Sequence, residues 1–588
     1  MLIASRFLMF RLTRRCLVVA VLATLVCTGD AAFFTKLVAA DQPNETSASD
    51  DVVADGDDGG ADAITEASLR GHIRFLADDL LEGRGPGSRA DELTQLYLST
   101  QFQTLGLKPA AANGSWTQAV PLVGVKTNMP ATAEFRGENG TTILRGVDDM
   151  MLTIGHPVEA TSIRDAELVF VGYGIQAPEY EWNDFKDVDL TGKILVVMNN
   201  DPSDDPDLFA GKRRLYYGRW DYKYESAAKQ GAAGAIIIHT TPSAGYPWKV
   251  VQTSWAGEEF ELRGVERPTM QMKAWTTEDA MRRIVATGGL DLDDLRNAAQ
   301  SRSFRPVPLN VKFSVDLSAT VREKDTANVL AMLPGSDPAV ADEVVIFMAH
   351  HDHLGVGTRD QSGDAIYNGA MDNASGTAAL LSMAAAYAKR ETAPRRSVMF
   401  AAVGAEEQGL LGSKYLAADP PIPPGKMAAV INMDGTNNLG RTYDVNVIGY
   451  GKSSLDDVVA KVAKLQQRIV TPDHFPDRGY YYRSDQFSLA KIGVPAVYLH
   501  TGTSVRGRPD GWGKRQLDEW TETIYHQPSD EYDSNWDLSG AVEDVRLLFR
   551  VGTRVANAPE MPTWNPGDEF EAARREAIRA AAAAEAGE

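Results

Sequence analysis

The stretch from Val344 to Asn373 constrains this chain more than any other. An apolar run passes directly into Ala349-His350-His351-Asp352-His353-Leu354-Gly355, and a loop later comes Asn368-Gly369-Ala370-Met371-Asp372-Asn373. A run rich in Val, Ile and Phe reads as a buried strand. His350 and Asp352 then fall at its carboxyl end, where open α/β sheets place their sites. The stretch reads as the first half of a metal centre.

The sequence around it alternates strand-like and helix-like segments. Asn328 to Leu333, Ser397 to Val403, Met427 to Met433 and Gly493 to Leu499 are expected strands. Ala374 to Lys389, Gly409 to Ala418, Leu455 to Gln467 and Val542 to Val555 are expected helices. The expected fold is α/β, a mixed and largely buried sheet sandwiched by helices.

At 588 residues the chain exceeds what one hydrophobic core normally supports, and a net charge of -21 argues against nucleic acid or anionic lipid as partners. Residues 1–40 read as a signal peptide: Arg6, Arg11, Arg14 and Arg15 precede an apolar run from Cys16 to Cys27, and Val38-Ala39-Ala40 offers a cleavage site. The run is shorter than the ~20 residues of a spanning helix, so export to the periplasm or medium is expected, without stable membrane insertion. Both cysteines lie in this leader. Any metal in the mature chain must therefore be held by His, Asp and Glu. Residues 41–63 read as a disordered acidic linker.

Order is expected from Ile64. A helix is followed by the turn-rich loop Glu82-Gly83-Arg84-Gly85-Pro86-Gly87-Ser88. Arg84 reads as a surface residue of that loop, with a place near the active cleft as the alternative. Residues 147–300 change texture: strand-like Val169 to Gly174 and Leu190 to Val197, a helix-like stretch through Ala227, Ala228 and Gln230, and strand-like Gly234 to Ile238 follow in that order, as in a small α/β module. His239 reads as an ordinary strand-end histidine. The aromatic segment from Leu215 to Tyr224 is either a binding surface or packing against the neighbouring domain. The domain plan is 64–146 and 301–557 for the main domain, 147–300 for the insert and 558–588 for a tail, expected as a frayed helix from Asp568.

Acidic and histidine residues recur at the ends of the expected strands: His350 and Asp352, then Asp372, Glu406-Glu407, Asp434 and, near the last elements, His526. A set offering His, Asp, Glu, Asp and His is what two zinc ions ~3.5–4 Å apart require, with one carboxylate between them.

These motifs, with Ala374-Ser375-Gly376, Gln408-Gly409-Leu410-Leu411-Gly412-Ser413, Asn432-Met433-Asp434 and Tyr525-His526, resemble the co-catalytic zinc aminopeptidases related to aminopeptidase Y and glutamate carboxypeptidase II. The insert resembles the protease-associated domain of many members. The resemblance implies a zinc exopeptidase fold and a peptide substrate. It assigns one zinc to His350, Asp372 and Asp434 and the other to Asp372, Glu407 and His526, with Asp372 bridging. It makes Glu406 the general base, Asp352 the carboxylate that orients the first histidine, and Tyr525 an oxyanion donor. It also implies a cis Asp372-Asn373 peptide. His351 and His353 are expected to be structural, and His474 and His500 to lie at the surface or in the pocket wall, with His500 facing the cleft. Ser484-Asp485-Gln486-Phe487 stands where many members have Ser-Asp-His before Phe. The implied activity is removal of residues from peptide amino termini. A glutamate-type carboxypeptidase, for which Arg441, Arg478 or Arg483 would supply a cation, and a non-catalytic receptor on the same fold are the alternatives.

Overall fold

The computed structural model describes residues 59–587, Asp204 and Asp207 excepted. The expected leader at 1–40 and most of the acidic segment at 41–63 lie outside the described residues. No helix among the described residues is long and apolar enough to cross a membrane.

The central sheet is built around Val344–His350, every residue of which is buried. It runs parallel to Ser397–Val403 on one side and to Met427–Asn432 on the other, and Met427–Asn432 is in turn parallel to Ala496–His500. Alternation along the strand explains the burial. Val345, Phe347 and Ala349 pack into a cluster with Leu69, Phe102, Leu381 and Leu547, whereas Val344, Ile346 and Met348 pack on the other face with Leu416 and Leu489. Helices thus cover both faces of a mixed sheet, the α/β architecture expected from the apolar runs.

The helix Gly376–Ala388 is apolar almost all round, and 11 of its 13 residues are buried, so it lies within the protein and not on its rim. Beside it runs Ser539–Asn557, which approaches the central strand closely at Gly552, where a Cβ would come within 2.3 Å of the Phe347 ring.

A second, smaller sheet is assembled from Met150–Ile154, Met272–Thr277, Gly234–His239, Ile194–Met198 and Ala160–Phe170, paired in that order. The hairpin Thr132–Gly137 and Gly140–Arg145 belongs to it as well. The two sheets share one 27-residue strand, Val307–Leu333. Its first part pairs with Ala160–Phe170 as far as Ser318; from Ala319 it pairs with Thr117–Thr127, and its end with Ser397–Val403. The sequence pattern indicated only the last part, because the residues before Asn328 alternate between buried and exposed. The aromatic segment near Tyr216 packs between the lobes, with the Tyr216 ring 5.1 Å from Phe487.

The C-terminal segment is not frayed. Glu571–Ala586 is a helix anchored by Arg574, which is 3% exposed and donates to the carbonyls of Pro424 and Met427 at 3.2 and 2.8 Å. The helix is as expected from the Ala and Glu content; the expectation that it is frayed missed its buried arginine. Arg574→Ala is expected to lower unfolding free energy by about 1.5–3 kcal/mol, the range for hydrogen bonds from a charged group, as measured by chemical denaturation.

Candidate metal centre

Parallel strands with their carboxyl ends side by side bring together residues far apart in sequence. His350 is the last residue of Val344–His350; Glu406 and Glu407 follow Ser397–Val403, and Asp434 follows Met427–Asn432. Asp372 lies in the turn Ala370–Ser375 ahead of the buried helix, and the Asp372-Asn373 peptide is cis. His526 comes just after the helix Trp512–Thr523, with a left-handed φ of 56°.

The side chains converge. His350 Nε2 lies 3.3 Å from Asp372 Oδ1 and 3.3 Å from Asp434 Oδ1. On the other side, His526 Nε2 lies 3.4 Å from Asp372 Oδ2 and 3.0 Å from Glu407 Oε2. The two oxygens of Asp372 therefore face two different histidines. Glu406 Oε2 is 3.9 Å from His350 Nε2, at the edge of the same cluster.

The surrounding hydrogen bonds fix the backbone that carries these groups. Asp530 accepts from the amides of Met371 and Asp372, both at 3.0 Å. Asn373 donates to Met433 O at 3.0 Å and accepts from Gly435 N at 2.9 Å, tying the Asp372 turn to the Asp434 loop. Asp352 is tied to the glutamate loop as well as to His350. Its carboxylate accepts from the amides of Glu406 and Glu407 at 3.0 and 3.4 Å, and His350 Nδ1 meets the Asp352 carbonyl at 3.3 Å, with the carboxylate farther off at 3.8 Å. It links the glutamate loop to the segment that carries the histidine.

Arg84 is not at the surface. It is 1% exposed, and its fork donates to His351 O, Asn368 O and Gly369 O at 2.8, 2.7 and 2.9 Å and also to Leu76 O. It clamps the loops that carry His350 and Asp372 from behind. His353 is closer to the centre than its position past the strand end suggested: its Nδ1 holds Glu407 Oε1 at 2.6 Å, leaving Oε2 toward His526. His351 is buried with Nε2 3.0 Å from Ala327 O. Gln486, the departure from Ser-Asp-His, accepts from Asn432 at 2.8 Å and donates to Tyr481 O at 2.7 Å, as a buried brace.

Charge crowding sets the electrostatics. Burial drives the Glu406 carboxyl well above its usual range, and Glu407 and Asp434 add to the effect. Burial also pushes Asp372 and Glu407 upward, but the facing histidines outweigh it, holding Asp372 well below the ordinary value and Glu407 at about 2. The same carboxylates outweigh the desolvation of His526 and raise it to about 9. Burial raises Asp352 to about 8. A divalent cation reverses this logic, favouring bare carboxylates and neutral imidazoles. The residues fit one: buried His526 Nε2 makes no hydrogen bond although two carboxylates lie close by, and imidazole nitrogen with carboxylate oxygen is a donor set that suits zinc.

Two cavities open on the cluster. One of about 380 Å³ borders Asp372, Glu406 and Asp434 and is walled by Leu439, Tyr480, Tyr498, His500, Leu517, Trp520 and Ile524. Another of about 200 Å³ borders Glu406, Glu407 and His526 and includes Trp220 and Trp255 of the smaller lobe, with Glu259 from the strand Glu259–Leu262 that pairs with Thr117–Thr127. Tyr525 and Arg483 border both, and Arg483 Nη2 donates to the Tyr525 hydroxyl at 3.0 Å. His500 faces the first cavity, as expected of a strand end. His474 instead lies 3.0 Å from Asp444 Oδ2, and His239 closes a strand with Nε2 3.1 Å from Tyr246 O.

Residues 328–549 match the peptidase family M28. A probable zinc metalloprotease of Leptosphaeria maculans is 30% identical over 168 residues, covering 28% of this chain and 36% of that protein. A probable leucine aminopeptidase 2 of Arthroderma benhamiae is 26% identical over 336 residues, covering 55% of this chain and 57% of the relative. The chain thus spans less than two thirds of the length of these curated relatives. Among solved structures, an aminopeptidase from Aneurinibacillus sp. strain AM-1 shares the fold with a TM-score of 0.51 at 19% identity, over 87% of this chain and 98% of that one.

In the metal-free protein His526 keeps its proton up to about pH 9, above the ~6.5 of an unfolded histidine. Its ion pairing therefore stabilises the fold fully below about pH 6.5 and is lost as pH rises through about 9. Chelated protein is expected to lose resistance to denaturant across that window, and His526→Gln to flatten the slope, as read from denaturation midpoints at each pH.

Proposed function

We propose, from the match of residues 328–549 to peptidase family M28, that the protein is an exported di-zinc aminopeptidase that removes large apolar residues from peptide amino termini. The observation that carries this reading is Asp372, whose two oxygens face His350 and His526 separately. One zinc ion would be held by His350, Asp372 and Asp434, the other by Asp372, Glu407 and His526. Bound there, zinc would supply the positive charge that acidifies water and polarises the peptide carbonyl.

The remaining steps belong to the chain's own residues. Glu406 completes neither ligand set, so its carboxylate is free to act as general base: it accepts a proton from the attacking water and returns it to the leaving amine as the C–N bond breaks. The Tyr525 hydroxyl accepts from Arg483, so its own proton is available to the oxyanion that develops on the carbonyl, an interaction whose removal typically costs ~10²–10³ in rate. Leu439, Leu517, Trp520 and Ile524 give the larger cavity an apolar wall beside Asp372 and Asp434, a fit for a leucine-like or aromatic first residue. The name of the Arthroderma relative agrees with that preference. Export rests on the leader at 1–40, and the smaller lobe, drawn in sequence as residues 147–300, is read as a protease-associated module.

Arg483, which borders both cavities, is the cation a carboxypeptidase reading would use, and product analysis separates the two. Purified protein, chelated and then resupplied with zinc, is expected to hydrolyse Leu- and Phe-aminoacyl substrates, to prefer leucine over alanine by ~10-fold or more, and to leave acetylated peptides intact. Glu406→Gln should lower kcat by ~10²–10⁴ while keeping its zinc. Leu517→Glu should raise KM for the leucine substrate. Release from the carboxyl end of acetylated peptides would move the assignment to a carboxypeptidase, and zinc uptake with no turnover would favour a receptor.

A further inference from the structure

A hydroxyl of the smaller lobe reaches a histidine of the metal centre. The helix Trp248–Ser254 ends at Ser254, whose Oγ lies 2.9 Å from His526 Nδ1. Beside it, Gln527 Nε2 reaches Thr253 Oγ1 at 3.4 Å, so two successive residues of the helix meet two successive residues of the histidine loop.

The helix is held firmly. Val251 is buried in the lobe's core with Tyr224, Ile237 and Trp275. Trp248 Nε1 and Gln252 Nε2 both donate to Val147 O at 3.0 Å. Trp255, the next residue, packs its ring 5.7 Å from Trp220 and 6.1 Å from Trp275. A hydroxyl at the end of such a helix has little freedom, so it can orient what it bonds.

The two histidines differ in this respect. His350 Nδ1 is met by the carbonyl of Asp352, two residues along its own segment. His526 Nδ1 is met by a residue 272 positions away, in the other lobe. The imidazole that points Nε2 at Asp372 and Glu407 thus takes its second hydrogen bond from outside the domain that supplies the other proposed ligands.

We infer that Ser254 is a positioning residue of the second zinc site: its hydroxyl accepts the Nδ1–H of His526, which fixes the tautomer and leaves the Nε2 lone pair for the metal. The inference rests on the di-zinc reading. Such outer hydrogen bonds commonly set metal affinity by 10–100-fold. It follows that the smaller lobe is a working part of the metal centre, and that loosening the lobe loosens one zinc ion and not the other.

The test is competition for zinc by a chromophoric chelator, with full-length wild type, Ser254→Ala and Ser254→Thr. Wild type is expected to hold two ions. Ser254→Ala should weaken one of them by ~10–100-fold and leave the other unchanged, with kcat restored by excess zinc, and Ser254→Thr, which keeps a hydroxyl, should recover most of the loss. Equal affinities in wild type and Ser254→Ala would overturn the inference while leaving the di-zinc reading intact. So would weakening of both sites together with a lower Tm of the metal-free protein, which would mark a general structural role. Fewer than two ions on wild type would overturn the di-zinc reading, and this inference with it.

Discussion

Four carboxylates, those of Asp372, Glu406, Glu407 and Asp434, meet in one buried pocket, and the rest of the molecule is arranged around that crowding. Like charges removed from water are costly unless a cation sits among them. Within the chain, His350 and His526 supply part of the compensation, and Arg84 supplies more from behind the loops. Burial pulls even that guanidinium down to about 10, a sign of how dry the surroundings are. The donors that face inward are the kinds zinc prefers, so the crowding that would destabilise an empty fold becomes affinity for metal.

The fold converts this constraint into geometry. Adjacent parallel strands deliver His350, Glu406 with Glu407, and Asp434 to one edge, and the buried helix Gly376–Ala388 carries Asp372 ahead of it. Asp352, Asn373 and Asp530 spend their hydrogen bonds on the backbone of these loops, which limits how far any ligand can drift. The shared strand Val307–Leu333 joins this domain to the smaller lobe, whose Trp220 and Trp255 wall one of the two cavities. A centre held by two lobes in this way depends on their contact as well as on its own loops.

Much of this was legible in the sequence, for a physical reason. His350, Glu406, Glu407 and Asp434 stand out as ligand-type residues at the ends of apolar strands, whereas Asp372, in a turn, and His526, after a helix, are indicated by the motifs that resemble the zinc aminopeptidases; the fold brings all six together. The supporting residues were not legible. Arg84 looked like any loop arginine, since its partners His351, Asn368 and Gly369 lie hundreds of positions away. Asp530 carried only a faint signal, an acid shortly after His526, and Ser254 carried none. Arg574 likewise hid in an Ala- and Glu-rich tail. The first half of Val307–Leu333 escaped because a strand with one exposed face shows no continuous apolar run.

In the proposed di-zinc centre Asp372 stands between the two ions. Anomalous diffraction at the zinc edge, from crystals of wild-type protein loaded with zinc, tests it most directly. Two peaks are expected to flank the Asp372 carboxylate, one beside His350 and Asp434 and the other beside His526 and Glu407. A single peak, or a second ion bound through His353 in place of His526, would contradict it.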